Sequence, residues 1–168
     1  MPSSQRSSDP LVIDAGPVLA LARIDALHLP ARLFAHALLP QPVFAECVAR
    51  PERADAQGVK RAVESGVIQL ADVPGGNTPP AVAGLGSGEV AVIRLSLERH
   101  AVALLDDKAA RRAALNAGLR VIGVVGLLRL AKRERQLLAV RPGLEALVRS
   151  SYFLAADLVA DTLRAEGE

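Results

Sequence analysis

Short apolar runs alternate along the chain with longer stretches whose apolar residues recur every three or four positions. The short runs are Leu11–Asp14, Ala37–Leu39, Val67–Leu70, Ala101–Leu105 and Arg120–Ile122. Runs this brief and this apolar are expected of strands buried on both faces of a parallel sheet. Helical spacing falls between them, over Pro17–Ile24, Pro42–Ala49, Ala54–Glu64, Gly88–Arg99, Asp107–Asn116 and Val125–Glu134. Pro17 and Pro42 stand where a first helical turn tolerates proline, and "NAG" at Asn116–Gly118 reads as a helix stop. Strands alternating with helices predict an α/β fold, a three-layer sandwich around a central parallel sheet of about five strands.

The segment "PGGNTPPAVAGLGSG", Pro74–Gly88, reads as a long loop within the domain, because the alternation resumes after it. The tail "SSYFLAADLVADTLRAEGE" reads as a helix whose Phe153, Leu154, Leu158, Val159 and Leu163 are spaced to cover a groove. Residues 1–10 are expected to be a disordered polar lead-in, and residues 11–168 a single domain that includes the C-terminal helix.

Composition narrows this picture. Of 168 residues half are hydrophobic, but the aromatics are only Phe34, Phe44, Tyr152 and Phe153, so the core must be built from Leu, Val, Ile and Ala. No apolar run approaches the ~18 residues of a membrane span. "MPSSQRSSDP" has no apolar h-region, and the lone Cys47 has no partner for an internal disulfide, so a cytoplasmic location is expected. Cys47 itself reads as a small buried hydrophobe. The net charge is only +2, yet Lys108–Arg149 holds ten basic residues against two acids, Glu134 and Glu145. Arginine outnumbers lysine 17 to 3, and its planar fork suits phosphate. A solvated helical face explains such a stretch as well as a nucleic-acid surface does.

In an open α/β sheet, ligands bind beyond the carboxyl ends of the strands. The acids expected there are Asp14 at the end of the first strand, Glu46 in "LPQPVFAEC", Glu89 in the helix opened by "GLGSGE", and Asp106 and Asp107 after "VALL". Singly, each has a local explanation as a helix cap, a dipole partner or a solvated side chain. Together they would repel one another and cost stability unless a cation neutralised them. Carboxylates without a histidine or cysteine cluster select Mg²⁺ or Mn²⁺, ions that activate water for in-line attack on phosphorus. His28, His36 and His100 show no ligand spacing. The glycines of "GLGSGE" make a weak phosphate cradle and a better close approach for the helix carrying Glu89.

The ordered pieces "LVIDAGPVLALARIDALHL", "LLPQPVFAECVAR" and "GLGSGEVAVIRLSLERHAVALLDDKAARRAALNAGLRVIGVVGLLRLAKRE" resemble the PIN domain family from Leu11 to the C-terminal helix. The G-x-G-E and LDD-x-x-A-R pieces are similar to those of VapC-type toxins. This resemblance implies a metal-dependent ribonuclease, with Asp14, Glu46, Glu89 and Asp106 or Asp107 as catalytic metal ligands. It also implies an RNA substrate, a small antitoxin partner that blocks the acidic groove, and compatibility with a homodimer. The chain departs from the family at Ala15, where many members carry Ser or Thr, and at Glu89, where many carry Asp. A catalytically inactive PIN-like module binding RNA or a protein partner is the alternative. A receiver-like phosphoacceptor, suggested by "LLDD", fits less well, because only Asp14 follows the first strand and no lysine follows the last.

Overall fold

The computed structural model describes residues 6–76 and 80–168. Five short strands, β1 (Leu11–Ile13), β2 (Ala37–Pro40), β3 (Gln69–Ala71), β4 (Val102–Leu104) and β5 (Val121–Ile122), form one parallel sheet in the order β3-β2-β1-β4-β5. β1 lies at the centre, pairing Val12 with Leu38 on one side and with Ala103 on the other. The three residues of β1 and the three of β4 are buried, as strands covered on both faces must be. Toward the margins β3 carries an exposed Gln69 and β5 is half-buried.

Nine helices accompany the sheet among the described residues: α1 (Ala15–Arg23), α2 (His28–Leu33), α3 (Gln41–Cys47), α4 (Ala54–Glu64), α5 (Ser87–Arg99), α6 (Lys108–Asn116), α7 (Val124–Arg133), α8 (Arg141–Arg149) and α9 (Ala156–Glu166). Parallel neighbours need crossovers of one hand, so helices following strands that step one way lie on one face and the rest on the other. α1 meets α4 and α7, and α2 meets α7, in one layer, while α5 packs across β1, β2 and β4 from the other. The result is the three-layer α/β sandwich expected from the pattern. Its core is aliphatic, with Leu11, Ile13, Leu39, Ile93, Leu104 and Leu127 fully enclosed.

Differences from the expected elements have local causes. The third strand begins at Gln69 rather than Val67, since Val67 and Ile68 belong to the turn that lifts the chain out of α4. α8 opens with "RPG", which reads as a turn yet places Pro142 in a first helical turn. In the tail, α9 starts only at Ala156, leaving Phe153 90 % exposed before it, and Leu158 is also exposed. Only Leu154, Val159 and Leu163 of the expected stripe pack against the core.

Residues 1–5 of the polar lead-in and 77–79 of the long loop lie outside the described residues. Residues 6–10 are tied to the domain: Arg6 donates to the carbonyl of Ala35 at 2.8 Å, Ser7 bridges to Phe34, and Asp9 pairs with Arg120 at 2.7 Å. Before the loop, Arg94 on α5 donates to the carbonyls of Pro74 and Gly76. No helix of the described residues is long and apolar enough to cross a membrane.

On the inner face of α5, the Ser96 hydroxyl is fully buried with no hydrogen-bond partner among the described residues. A buried hydroxyl without a partner is a net cost. Ser96→Ala is therefore expected to raise stability by about 1 kcal/mol, read as a higher urea midpoint at unchanged slope.

Candidate active site

In the order β3-β2-β1-β4-β5 the chain winds outward in opposite directions from β1 and from β4, so the crevice between their carboxyl ends is the switch point where such sheets bind ligands. Asp14 leaves β1 at that crevice, and Asp106 and Asp107 follow β4 beside it. The pairing of Ile13 with Leu104, and the bond from the Asp14 amide to the Leu104 carbonyl at 3.2 Å, set the two exits side by side. Glu46 arrives from α3 and Glu89 from the first turn of α5. Gly88 lets α5 close in on the other acids: a Cβ there would stand 3.1 Å from Glu46 Oε2 and 3.9 Å from Asp14 Oδ1. Of the glycines of "GLGSGE", Gly88 serves this close approach of backbone to carboxylates, whereas Gly84 has nothing within 4 Å and takes a left-handed φ of +84°.

Asp14 is the buried member, 8 % exposed. It occupies the N-cap position of α1 in an extended conformation, but its side chain makes no cap bond to the helix. Burial pushes its carboxyl up to about 6, with further upward pressure from the charges of Glu89, Glu46 and Asp107, against a bond from the Ala15 amide that favours the charged form. The same surroundings push the buried Cys47 thiol up to about 12, which keeps it protonated and inert.

The other acids are each engaged differently. Glu89 Oε2 accepts from the Gly86 amide at 2.9 Å, and Asp107 Oδ1 caps α6 through the Ala110 amide at 2.9 Å. Glu46 is exposed. Asp106 sits in a slot of its own, accepting from the Val124 amide at the start of α7 and from the Tyr152 hydroxyl. Gly123 shapes that slot, since a Cβ there would come within 2.5 Å of Asp106 Oδ1 and 3.2 Å of an Arg111 guanidinium nitrogen. In these conformations no three Asp, Glu, His or Cys side chains among the described residues form a ready metal cage. Sequence reading did not single out Tyr152; its signal was being the chain's lone tyrosine, in a tail otherwise read as a groove cover.

A family model described as a PIN domain matches residues 10–168. The chain belongs to the PIN domain family. PIN domains are generally nucleases, acting on nucleic acid and generally using divalent metal ions. No curated protein matches this chain.

The donor chemistry of this PIN domain fits such an ion. The crevice presents carboxylate oxygens, the nearby thiol stays protonated, and His36 and His100 precede β2 and β4 at the opposite edge of the sheet. A cation would relieve the charge that now opposes ionisation of Asp14.

Without metal, the Asp14 carboxyl, raised from 3.8 to about 6, keeps its proton in the folded state while the unfolded chain has already lost it. The folded state therefore binds more protons between pH 4 and 6, and stability falls as pH rises through that window, by up to about 3 kcal/mol from this group. Urea unfolding in EDTA across that range is expected to show the decline, and Asp14→Asn to flatten it. Gly123→Ala, by forcing Asp106 off the Val124 amide, is expected to cost about 1–3 kcal/mol in the same assay.

Proposed function

We infer that this PIN domain is a metal-dependent endoribonuclease, the toxin of a type II toxin–antitoxin pair. One observation carries the catalytic reading: a buried carboxylate, Asp14, held at the switch point of the sheet within the field of Glu89, Glu46 and Asp107. Burial of an acid with no countercharge is costly, and sites that accept this cost are where chemistry is done. Asp14, Glu46, Glu89 and Asp107 are the residues that would hold Mg²⁺ or Mn²⁺. The ion supplies activation of water and offsets the charge of the attacked phosphate.

The chain's own groups do the rest. A carboxylate oxygen of the crevice left free by the ion stands where the proton of the attacking water can be taken up. Asp107 spends one oxygen on the Ala110 amide, leaving the other for the crevice. Asp106, bound by Val124 and Tyr152, fixes the carboxyl end of β4 against α7 and serves as a positioning residue. Between the two aspartates left open by the sequence, Asp107 is thus the better ligand. Lys108 and Arg111, which line a depression of 540 Å³ together with Asp106 and Tyr152, stand beside the acids as cations for the RNA backbone.

The toxin assignment rests on the VapC-like G-x-G-E and LDD-x-x-A-R pieces. A small antitoxin covering the acidic crevice and a homodimer follow from it. One observation favours the second reading, a PIN module that binds RNA or a protein without cutting: Ala15 follows Asp14, and the rim acids lean on their own backbone amides.

Cleavage of total RNA with Mg²⁺, with Mn²⁺ and with EDTA separates the two. Discrete fragments that require metal and fall at least about a hundredfold with Asp14→Asn are expected. No products while RNA remains bound would establish the binding module, and products formed equally in EDTA would overturn the metal-dependent reading.

A further inference from the structure

The sequence gathers ten basic residues in Lys108–Arg149, yet several of them are held in ion pairs within the chain. Arg120 pairs with Asp9, Arg129 with Glu166, Lys132 with Glu166 and Glu168, and Arg141 and Arg149 with Glu145. A second basic cluster lies elsewhere, made from residues scattered over α1 and the segment joining α3 to α4. Asp55, only 6 % exposed, accepts from Arg23 Nε at 2.8 Å and from Arg53 through two bonds of 3.0 and 2.9 Å. Two guanidinium groups thus share one buried carboxylate, which leaves a net positive charge. Both are held in place: Arg23 spends only Nε on Asp55 and keeps both Nη groups for another acceptor.

Arg50 stands next to them, exposed, its carbonyl accepting from the Arg53 amide at 3.1 Å and its side chain without an ion pair or hydrogen bond among the described residues. Arg23, Arg50 and Arg53 line a depression of 250 Å³ whose wall also includes Glu46. Arg23 and Arg53 border a second depression of 450 Å³ with Ser150 and Ser151, just before Tyr152 and its bond to Asp106. Glu46 joins the cluster to the acidic crevice, and the strand order sets it apart from Lys108 and Arg111: Arg50 and Arg53 follow β2 on one side of β1, and α6 follows β4 on the other.

We propose that Arg23, Arg50 and Arg53, braced by Asp55, form a binding site for a backbone phosphate of the RNA beside the scissile bond. This rests on the nuclease reading and says how the substrate lies: the strand crosses the acids from the Arg50 flank to the Lys108 flank, with a cation on each side. A planar guanidinium fork fixed by a buried carboxylate is preorganised for a tetrahedral phosphate and loses little rotamer freedom on binding. The recognition is of phosphate, so it is independent of base sequence and sensitive to salt.

The test measures binding of a mixed-sequence RNA hairpin in EDTA as a function of salt, with cleavage in Mg²⁺ alongside. Arg50→Ala removes no side-chain hydrogen bond or ion pair among the described residues, so it is expected to leave the fold intact. Expected are roughly tenfold weaker binding at low salt, a salt slope shallower by about 0.7–0.9, and a raised KM at unchanged kcat. Arg53→Lys keeps the charge but gives up the paired bonds to Asp55 that brace the cluster, and is expected to weaken binding with little change in salt slope. Arg61→Ala, an equal charge loss on α4 away from both depressions, is expected to leave binding unchanged. If wild type binds and cleaves while Arg50→Ala matches it, the phosphate site is overturned and the nuclease reading stands. If wild type neither binds nor cleaves RNA, the nuclease reading fails and this site with it.

Discussion

A parallel sheet gathers the carboxyl ends of all its strands along one edge, and everything in this protein's site depends on that delivery. Because β1 sits between β2 and β4, the residue that ends it emerges where the winding of the chain reverses. An aspartate placed there is largely shielded from bulk water, being walled by α5 and by the exit of β4. The cost is visible in the raised Asp14 carboxyl, and relief of that cost is what a bound cation would contribute. The aliphatic core is the counterpart: enclosed Leu, Ile and Val side chains on both faces of the sheet hold the strand ends in register against the repulsion of the acids.

The crevice is built from small residues as much as from charged ones. Gly88 allows α5 to bring its first turn against Glu46 and Asp14, and Gly123 allows α7 to begin close enough for its amide to reach Asp106. At both places the position of an acid depends on the absence of a methyl group. Tyr152 adds a tie from the distal segment to the end of β4, so the residues between α8 and α9 belong to the site and not only to the surface.

Much of this was readable in the chain. The buried strands β1, β2 and β4 appear as runs of Val, Leu and Ala with an acid or a turn at the end, because burial on both faces leaves no room for a polar residue. The helices α4 and α6 show amphipathic spacing from end to end. What could not be read depends on partners distant in sequence. Glu166 and Glu168 neutralise Arg129 and Lys132 only because α9 folds back on α7. Arg23 and Arg53 become a cluster only because Asp55 is buried between them. The short helices α2 and α8 carry Pro30 and Pro142–Gly143, residues that advertise turns, yet both prolines fall in a first helical turn, where proline is tolerated. Which amide Asp106 and Asp107 each accept from, that of Val124 or that of Ala110, is likewise encoded in no periodicity.

The pairing of Val12 with Ala103 has a consequence for how the protein comes into being. During synthesis β1 and β2 emerge early and can pair at once, but the other neighbour of β1 arrives only after α5 has been made. Until then the future Asp14 lies in open water as an ordinary acid, with neither the wall of α5 nor the exit of β4 against it. On a nascent chain the crevice is therefore incomplete until α5 and β4 have been made and β4 has paired with β1.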